Sequence, residues 1–248
     1  MKTSFRTIGL VFGREFRAYF ATPLAAVFLL VFLALSAGLA FFAGGFFERG
    51  QADLGPFFAW HPWLFLILMP AIGMRLWADE RRSGVIELLM TLPVRAHEVV
   101  IGKFLAGWAF TAVALVLTMS FWLVTLYLGS PDNGIVIASY IGSFLMAGAF
   151  LAISACISAM TKNQVIAFIL AAIVSFLLVM SGTNLVLAAL RGWAPAFLVD
   201  LVQSLSFITN FDRLTRGVLE APAVILFVST IVLALWINVQ VIDAKKAV

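Results

Sequence analysis

Charge is scarce in this chain: only 11 % of its 248 residues are Asp, Glu, Lys or Arg, whereas a soluble domain carries about a quarter. A solvated, charge-studded surface cannot be built from so few. Cysteine is scarcer, since Cys156 stands alone beside Ser154 and Ser158 in an apolar run. That excludes a disulfide within one chain and leaves a small packed residue. His61 and His97 are the only histidines, and neither is accompanied by a carboxylate pair or a second cysteine, so a metal site has no support. No G-x-x-x-x-G-K-S/T, H-E-x-x-H or G-x-S-x-G occurs, and the nearest fragment, Gly102-Lys103, is followed by Phe104. The chain is not expected to be an enzyme, because it has no P-loop with which to hydrolyse ATP.

Apolar residues fill the space. They make up 63 % of the chain, and the mean hydropathy is +1.10. A bilayer core of roughly 30 Å is crossed by about 20 apolar residues in a helix, and a charge at its centre costs about 2.5–3.5 kcal/mol. Five runs free of Asp, Glu, Lys and Arg are long enough: Leu24–Phe47, Phe104–Pro131, Asn133–Thr161, Asn163–Leu190 and Ala221–Ile242. A sixth, Leu54–Met74, carries Pro56, His61, Pro62 and Pro70 and is expected to be short or kinked, since an interior proline removes a backbone hydrogen bond. The runs are apolar on every side, without the alternation of a membrane barrel. The expected fold is an all-α integral membrane protein, one domain over 1–248, with six transmembrane helices near 24–47, 55–76, 104–128, 135–159, 164–188 and 221–242.

Positively charged flanks stay in the cytoplasm. Twelve of the sixteen Lys and Arg residues fall on one set of flanks and four, Arg49, Arg191, Arg213 and Arg216, on the other. Both termini and the 75–103 segment are therefore expected in the cytoplasm. The first apolar run is too long for a cleaved signal sequence and reads as a retained span. Before it, FGREFRAYFATP mixes Phe12, Phe16, Tyr19 and Phe20 with Arg14, Glu15 and Arg17, which suits an interfacial helix in the headgroup layer.

Within the spans, Gly148, Ala152, Ala155 and Ala159 form a small-residue face for close helix packing, read as core packing with a second protomer as the alternative. Asn184 and Asn163-Gln164 read as helix-end hydrogen bonders. The phenylalanines of the first span, Phe28, Phe32, Phe41, Phe42, Phe46 and Phe47, read as lipid contacts, with a lipid-like cargo path as the alternative. Phe197, Leu201, Leu205 and Ile208 lie at helical spacing and predict a short helix or re-entrant pair on the outer face.

The densest charge lies in ADERRSGVIELLMTLPVRAHEVVIGK, residues 78–103, where Val85, Leu88, Leu89 and Leu92 fall at i, i+3, i+4 and i+7. Such a stripe lies along a membrane surface or enters a partner's groove. Glu80-Arg81-Arg82-Ser83-Gly84, with Glu87-Leu88-Leu89, Leu92-Pro93 and Gly102-Lys103, resembles the permease subunit of ABC-2 type exporters. Thr161-Lys162-Asn163-Gln164 and Phe211-Asp212-Arg213-Leu214-Thr215-Arg216-Gly217 bring the chain closest to the gliding-motility permease branch.

The resemblance implies a permease subunit of a bacterial inner membrane. It would pair with a second copy or a related permease, with or without a periplasmic domain, and with cytoplasmic P-loop ATPases that bind the ATP and magnesium. No cofactor of its own and no nucleic acid are expected. It also implies that residues 80–93 form a coupling helix seated on the ATPase. Glu80 and Glu87 would meet basic partner residues, Leu88 and Leu89 would fill a groove, Gly84 would admit close backbone approach and Pro93 would end the helix. The alternative function is a membrane anchor or force-transmitting scaffold for a P-loop ATPase. The absence of a charge inside any expected span keeps it open and argues against ion-coupled transport.

Overall fold

The computed structural model describes residues 2–84, 94–218 and 220–244, and every regular element among them is helical. In order these are α1 (Lys2–Phe20), α2 (Pro23–Gly38) with a π-helical turn at Leu39–Ala43, α3 (Gly55–Phe58), α4 (His61–Gly73), α5 (Arg75–Ser83), α6 (Ala96–Leu117) and α7 (Met119–Leu128). Then follow α8 (Asn133–Met160), α9 (Gln164–Met180), α10 (Asn184–Arg191), α11 (Ala196–Ser204), α12 (Phe207–Leu214) and α13 (Ala221–Ala244).

Five continuous helical stretches are long and apolar enough to cross a membrane: Ala25–Ala43, Gly55–Ser83, Ala96–Leu128, Asn133–Met160 and Ala221–Ala244. A sixth candidate is the pair α9 and α10, bent by 73°. The sequence predicted one helix across 164–188. It breaks because Ser181 Oγ and Thr183 Oγ1 donate to the carbonyls of Leu178 and Met180, at 2.9 and 2.8 Å, at the end of α9. Gly182 meanwhile packs against Ser206 and Thr209, leaving no room for a side chain in the turn. A hydrophobic run does not encode that break.

α8 is the axis of the bundle. In its most apolar window 72 % of residues are buried, against 28 % for α13 and for the first span, so those two face outward and α8 does not. It packs on α4, α5, α6, α9, α12 and α13. Close packing follows from its small face: Gly148, Ala152, Ala155 and Ala159 are all buried within the chain, with Gly148 against Trp108 and Ile231. Asp132 caps its start by accepting from the amides of Gly134 and Ile135, and Asn163 does the same for α9.

Serines on α8 also repair the second span. Pro56 and Pro62 sit in first turns, where a missing N–H costs nothing, and only Pro70 lies inside a helix. At the junction of α4 and α5, Ser158 Oγ donates to the Met74 carbonyl at 2.7 Å and accepts from the amides of Trp77 and Ala78 at 3.2 and 3.1 Å. One hydroxyl thus serves three backbone groups, as lipid-embedded backbone requires.

One further expectation is corrected. Phe28, Phe32 and Phe46 of the first span are buried rather than turned to lipid, Phe32 stacking on Phe65 at 5.8 Å, and only Phe42 and Phe47 are exposed. A short helix is present where the Phe197, Leu201 and Leu205 spacing suggested one, with those side chains exposed, and Ser206 starts the next helix by accepting from the Thr209 amide, turning Phe207, Phe211 and Leu214 inward. Asp53, Asp132 and Asp212 line one cavity of about 400 Å³ at the end of the bundle away from α1.

Ser158→Ala strands the backbone groups of the junction and should lower stability in detergent by about 1–2 kcal/mol. Ser175→Ala removes a buried hydroxyl that has no partner among the described residues and should cost nothing. Unfolding midpoints of the two variants, compared with the unchanged protein, check the contrast.

Candidate functional site

A buried lysine stands directly before the expected third span, on the same helix. Lys103 belongs to α6, inside the Ala96–Leu128 stretch, and its side chain is 2 % exposed. Glu98 starts that helix eight residues before the apolar run by accepting from the Arg95 amide at 3.3 Å, a turn that composition alone does not reveal. The helix therefore begins before the expected span, with Lys103 one residue outside 104–128.

Two other helices compensate the cation. Its Nζ lies 2.7 Å from Glu80 Oε1 on α5 and 3.2 Å from Glu15 Oε1 on α1, and 5.2 Å from the centroid of the Trp77 ring. Arg14 bonds Glu15 and reaches Glu80 Oε1 at 3.5 Å, so two cations meet two anions and the cluster is neutral. Removing such a charge from water costs several kcal/mol, which only good geometry with opposite charges recovers. The cation–π contact adds to that.

Local sequence makes the meeting possible. A Cβ at Gly102 would fall 2.8 Å from Val11 and 3.1 Å from the Ile8 carbonyl, so glycine there lets α1 lie directly on α6. Tyr19 stacks on Phe110 at 5.0 Å and fixes the next turn of α1. On α5, Arg81 Nη1 donates to the Ala159 carbonyl at 2.6 Å, placing a cation on the C-terminal end of α8. A cavity of about 240 Å³ opens beside the cluster, lined by Tyr19, Arg75 and Asp79 as well as the ion pair residues.

Of the six residues expected to couple to an ATPase, Glu80 and Gly84 lie in the described structure, while Glu87, Leu88, Leu89 and Pro93 lie outside the described residues. Glu80 places its Oε1 on Lys103, and its buried Oε2 has no partner among the described residues. No single helix runs on from residue 80, because α5 ends at Ser83. Gly84 takes φ +73°, where glycine is favoured for its conformation, and nothing stands within 4 Å of its missing Cβ. Sequence reading missed Lys103 and Glu15 as a pair because they are distant in the chain, although Gly102-Lys103 was singled out for other reasons.

His61 is a core residue. Ser143 donates its hydroxyl to the Ser139 carbonyl at 2.7 Å, so the 2.7 Å contact between His61 Nδ1 and Ser143 Oγ has the imidazole as donor. Its Nε2 is then a bare acceptor, enclosed by Phe57, Phe58 and Phe65 at 4.6, 5.2 and 5.2 Å between ring centroids. Among the described residues no group of three or more His, Cys, Asp or Glu is placed to hold a metal ion.

Burial alone would raise the Glu15 carboxyl, but Lys103 and Arg14 outweigh it and hold Glu15 below its ordinary value. With a folded value below the unfolded one, Glu15 contributes stability that is complete above the usual glutamate range and disappears as pH falls through the depressed value. The unfolding midpoint should therefore drop on acidification below about pH 4, and Glu15→Gln should flatten that drop. Lys103→Met leaves two carboxylates sharing Arg14 alone and should cost about 3 kcal/mol, part of which Lys103→Met with Glu80→Gln should restore. Midpoints across a pH series check all three variants.

The family model described as ABC-2 family transporter protein matches residues 63–242, which take in Glu80, Lys103 and the whole of α8. No curated protein matches the chain. α1, with Glu15, lies outside the matched region. The match covers well over half of the chain and coincides with the bundle built around α8: the chain belongs to the ABC-2 transporter family.

Proposed function

We propose that this chain is the membrane subunit of an ATP-driven exporter, with ATP bound and hydrolysed, with magnesium, by separate cytoplasmic subunits. Family membership supports a permease component of an ABC transporter, a component that is generally not catalytic. The observation that carries the coupling role is Lys103, joined to Glu15 on α1 and Glu80 on α5. The segment 85–93 follows α5 directly and returns to α6 through Arg95. A push on that segment enters the bundle where three helices share one buried charge.

In this reading Leu88 and Leu89 seat the segment in a groove of the ATPase, Glu87 faces its basic residues, Pro93 ends the segment, and Gly84 is the swivel between it and α5. Glu80 acts inside the subunit, holding α5 to α6. α9 and α10 together form the fifth of six spans, both termini are cytoplasmic, and the membrane is the bacterial inner membrane. The grouping of Asp53, Asp132 and Asp212 around one cavity supports this topology, since the loops between spans one and two, three and four, and five and six must share a side. A second permease completes the transporter, and the likeness to the gliding-motility branch favours a related subunit in that place.

Leu88→Asp should reduce recovery of the ATPase from membranes strongly, by placing a charge on a buried stripe. Glu87→Arg should reduce it less, and Asp132→Asn not at all. Pull-down at matched membrane levels measures this. Equal recovery from all three would remove the coupling role from 85–93.

Cysteines replacing Asp53, Asp132 and Asp212 should react with an impermeant reagent from outside intact cells, and one replacing Ser83 only after the cytoplasm is opened. Reaction of positions 53 and 83 from the same side would reduce the number of spans.

A further inference from the structure

The inward face of α1 is explained by the bundle, with Val11, Phe16 and Tyr19 packed on the core and Glu15 turned to Lys103. The outward face is not. Arg6, Leu10, Gly13 and Arg17 fall within about 60° of one another at 100° per residue. Arg6, Leu10 and Arg17 are exposed, as are the neighbouring Phe5 and Phe20. Leu10 is 68 % exposed and Phe20 49 % exposed, with Phe5, 70 % exposed, about 140° from Leu10 around the helix.

The face carries charge of one sign. Glu15 is the only acidic residue of α1, and it points the other way. Neither Arg6 nor Arg17 forms an ion pair among the described residues. Between Leu10, Arg14 and Arg17 the helix is bare, because a Cβ at Gly9 or Gly13 would meet nothing within 4 Å, and an open groove results there. The last turn of α1 is joined through Ala21 and Thr22 to Pro23, where the first span begins, so Arg17 and Phe20 stand at the level of the membrane boundary.

We propose that this face binds anionic phospholipid. The guanidinium groups of Arg6 and Arg17 take the headgroup phosphates, for which their planar forks are suited, and Leu10 and Phe20 enter the acyl boundary. Charge complementarity selects an anionic partner, and the exposed aromatic and aliphatic side chains beside a membrane span select lipid over an acidic protein surface. The assignment rests on the chain being a membrane protein and not on its coupling to an ATPase.

The test uses the full chain in neutral detergent, with its unfolding midpoint followed as phosphatidylglycerol or phosphatidylcholine is added. Phosphatidylglycerol should raise the midpoint and phosphatidylcholine should not, with the difference shrinking as salt increases. Arg6→Gln with Arg17→Gln should weaken the phosphatidylglycerol response roughly thirtyfold in concentration, while leaving the lipid-free midpoint unchanged. Arg191→Gln, on another part of the chain, should respond like the unchanged protein.

Equal responses to the two lipids overturn the proposal, as does reproduction of the whole effect by inorganic phosphate, which would make the site one for a free anion. A double variant that loses the ATPase in pull-down yet keeps its lipid response would assign the face to an acidic protein surface and overturn it as well. A failure of the 85–93 coupling role would leave the lipid response untouched, so the two failures are separable.

Discussion

Burying the Lys103 ammonium commits three helices to one another. A lone cation at 2 % exposure is prohibitively costly in a membrane protein, and the chain meets that cost with carboxylates from α1 and α5 rather than from α6 itself. α1 must therefore lie against α6, which requires glycine at 102. α5 must follow α4 closely enough to bring Glu80 within 2.7 Å, which requires the junction at Met74 to stay nearly helical. The serine that serves that junction, Ser158, lies one turn from the end of α8, and Arg81 closes the same end through the Ala159 carbonyl. Packing around α8 and pairing around Lys103 are thus two parts of one arrangement.

Much of the bundle was legible because a bilayer imposes length and composition together. Each charge-free run of about 20 residues corresponds to a helical stretch, and Asn163 caps α9 as its position suggested. The small-residue face of α8 was legible too, since Gly148, Ala152, Ala155 and Ala159 at helical spacing leave room for neighbouring backbones. What escaped depends on partners distant in sequence. α6 begins at Ala96, ahead of the charge-free run, because Glu98 caps it there and Lys103 is compensated from elsewhere. Phe28 and Phe32 read as lipid contacts because composition does not say which side of a helix Phe65 and Phe110 will occupy. The break after Met180 depends on Ser206 and Thr209 crowding Gly182 from another helix.

The candidate site divided in the same way. The motif drew attention to residues 80–93, yet the charge in it that meets a buried partner, Glu80, is directed into the subunit. A carboxylate on an amphipathic stretch carries no label for the side it faces. Gly84 was legible as important but for a different reason: its φ of +73° ends a helix, and no atom crowds it.

These placements bear on how force would travel if 85–93 is the docking segment, as proposed. Motion of that segment meets Gly84, the point at which the chain is free to swivel, and then α5. α5 is not free, being held to the end of α8 by Arg81 and Ser158 and to α6 and α1 by Glu80. A swivel followed by a helix anchored at both the bundle axis and α1 converts a local displacement into a tilt of the whole group. The anchor on the α1 side is a charge pair that is neutral as a unit, so it can slide or re-pair without leaving an isolated charge behind. The hydroxyl and carbonyl contacts on the α8 side have no such substitute. The α1 side is accordingly the softer attachment, and relative motion should concentrate between α1 and the rest of the bundle rather than along α8.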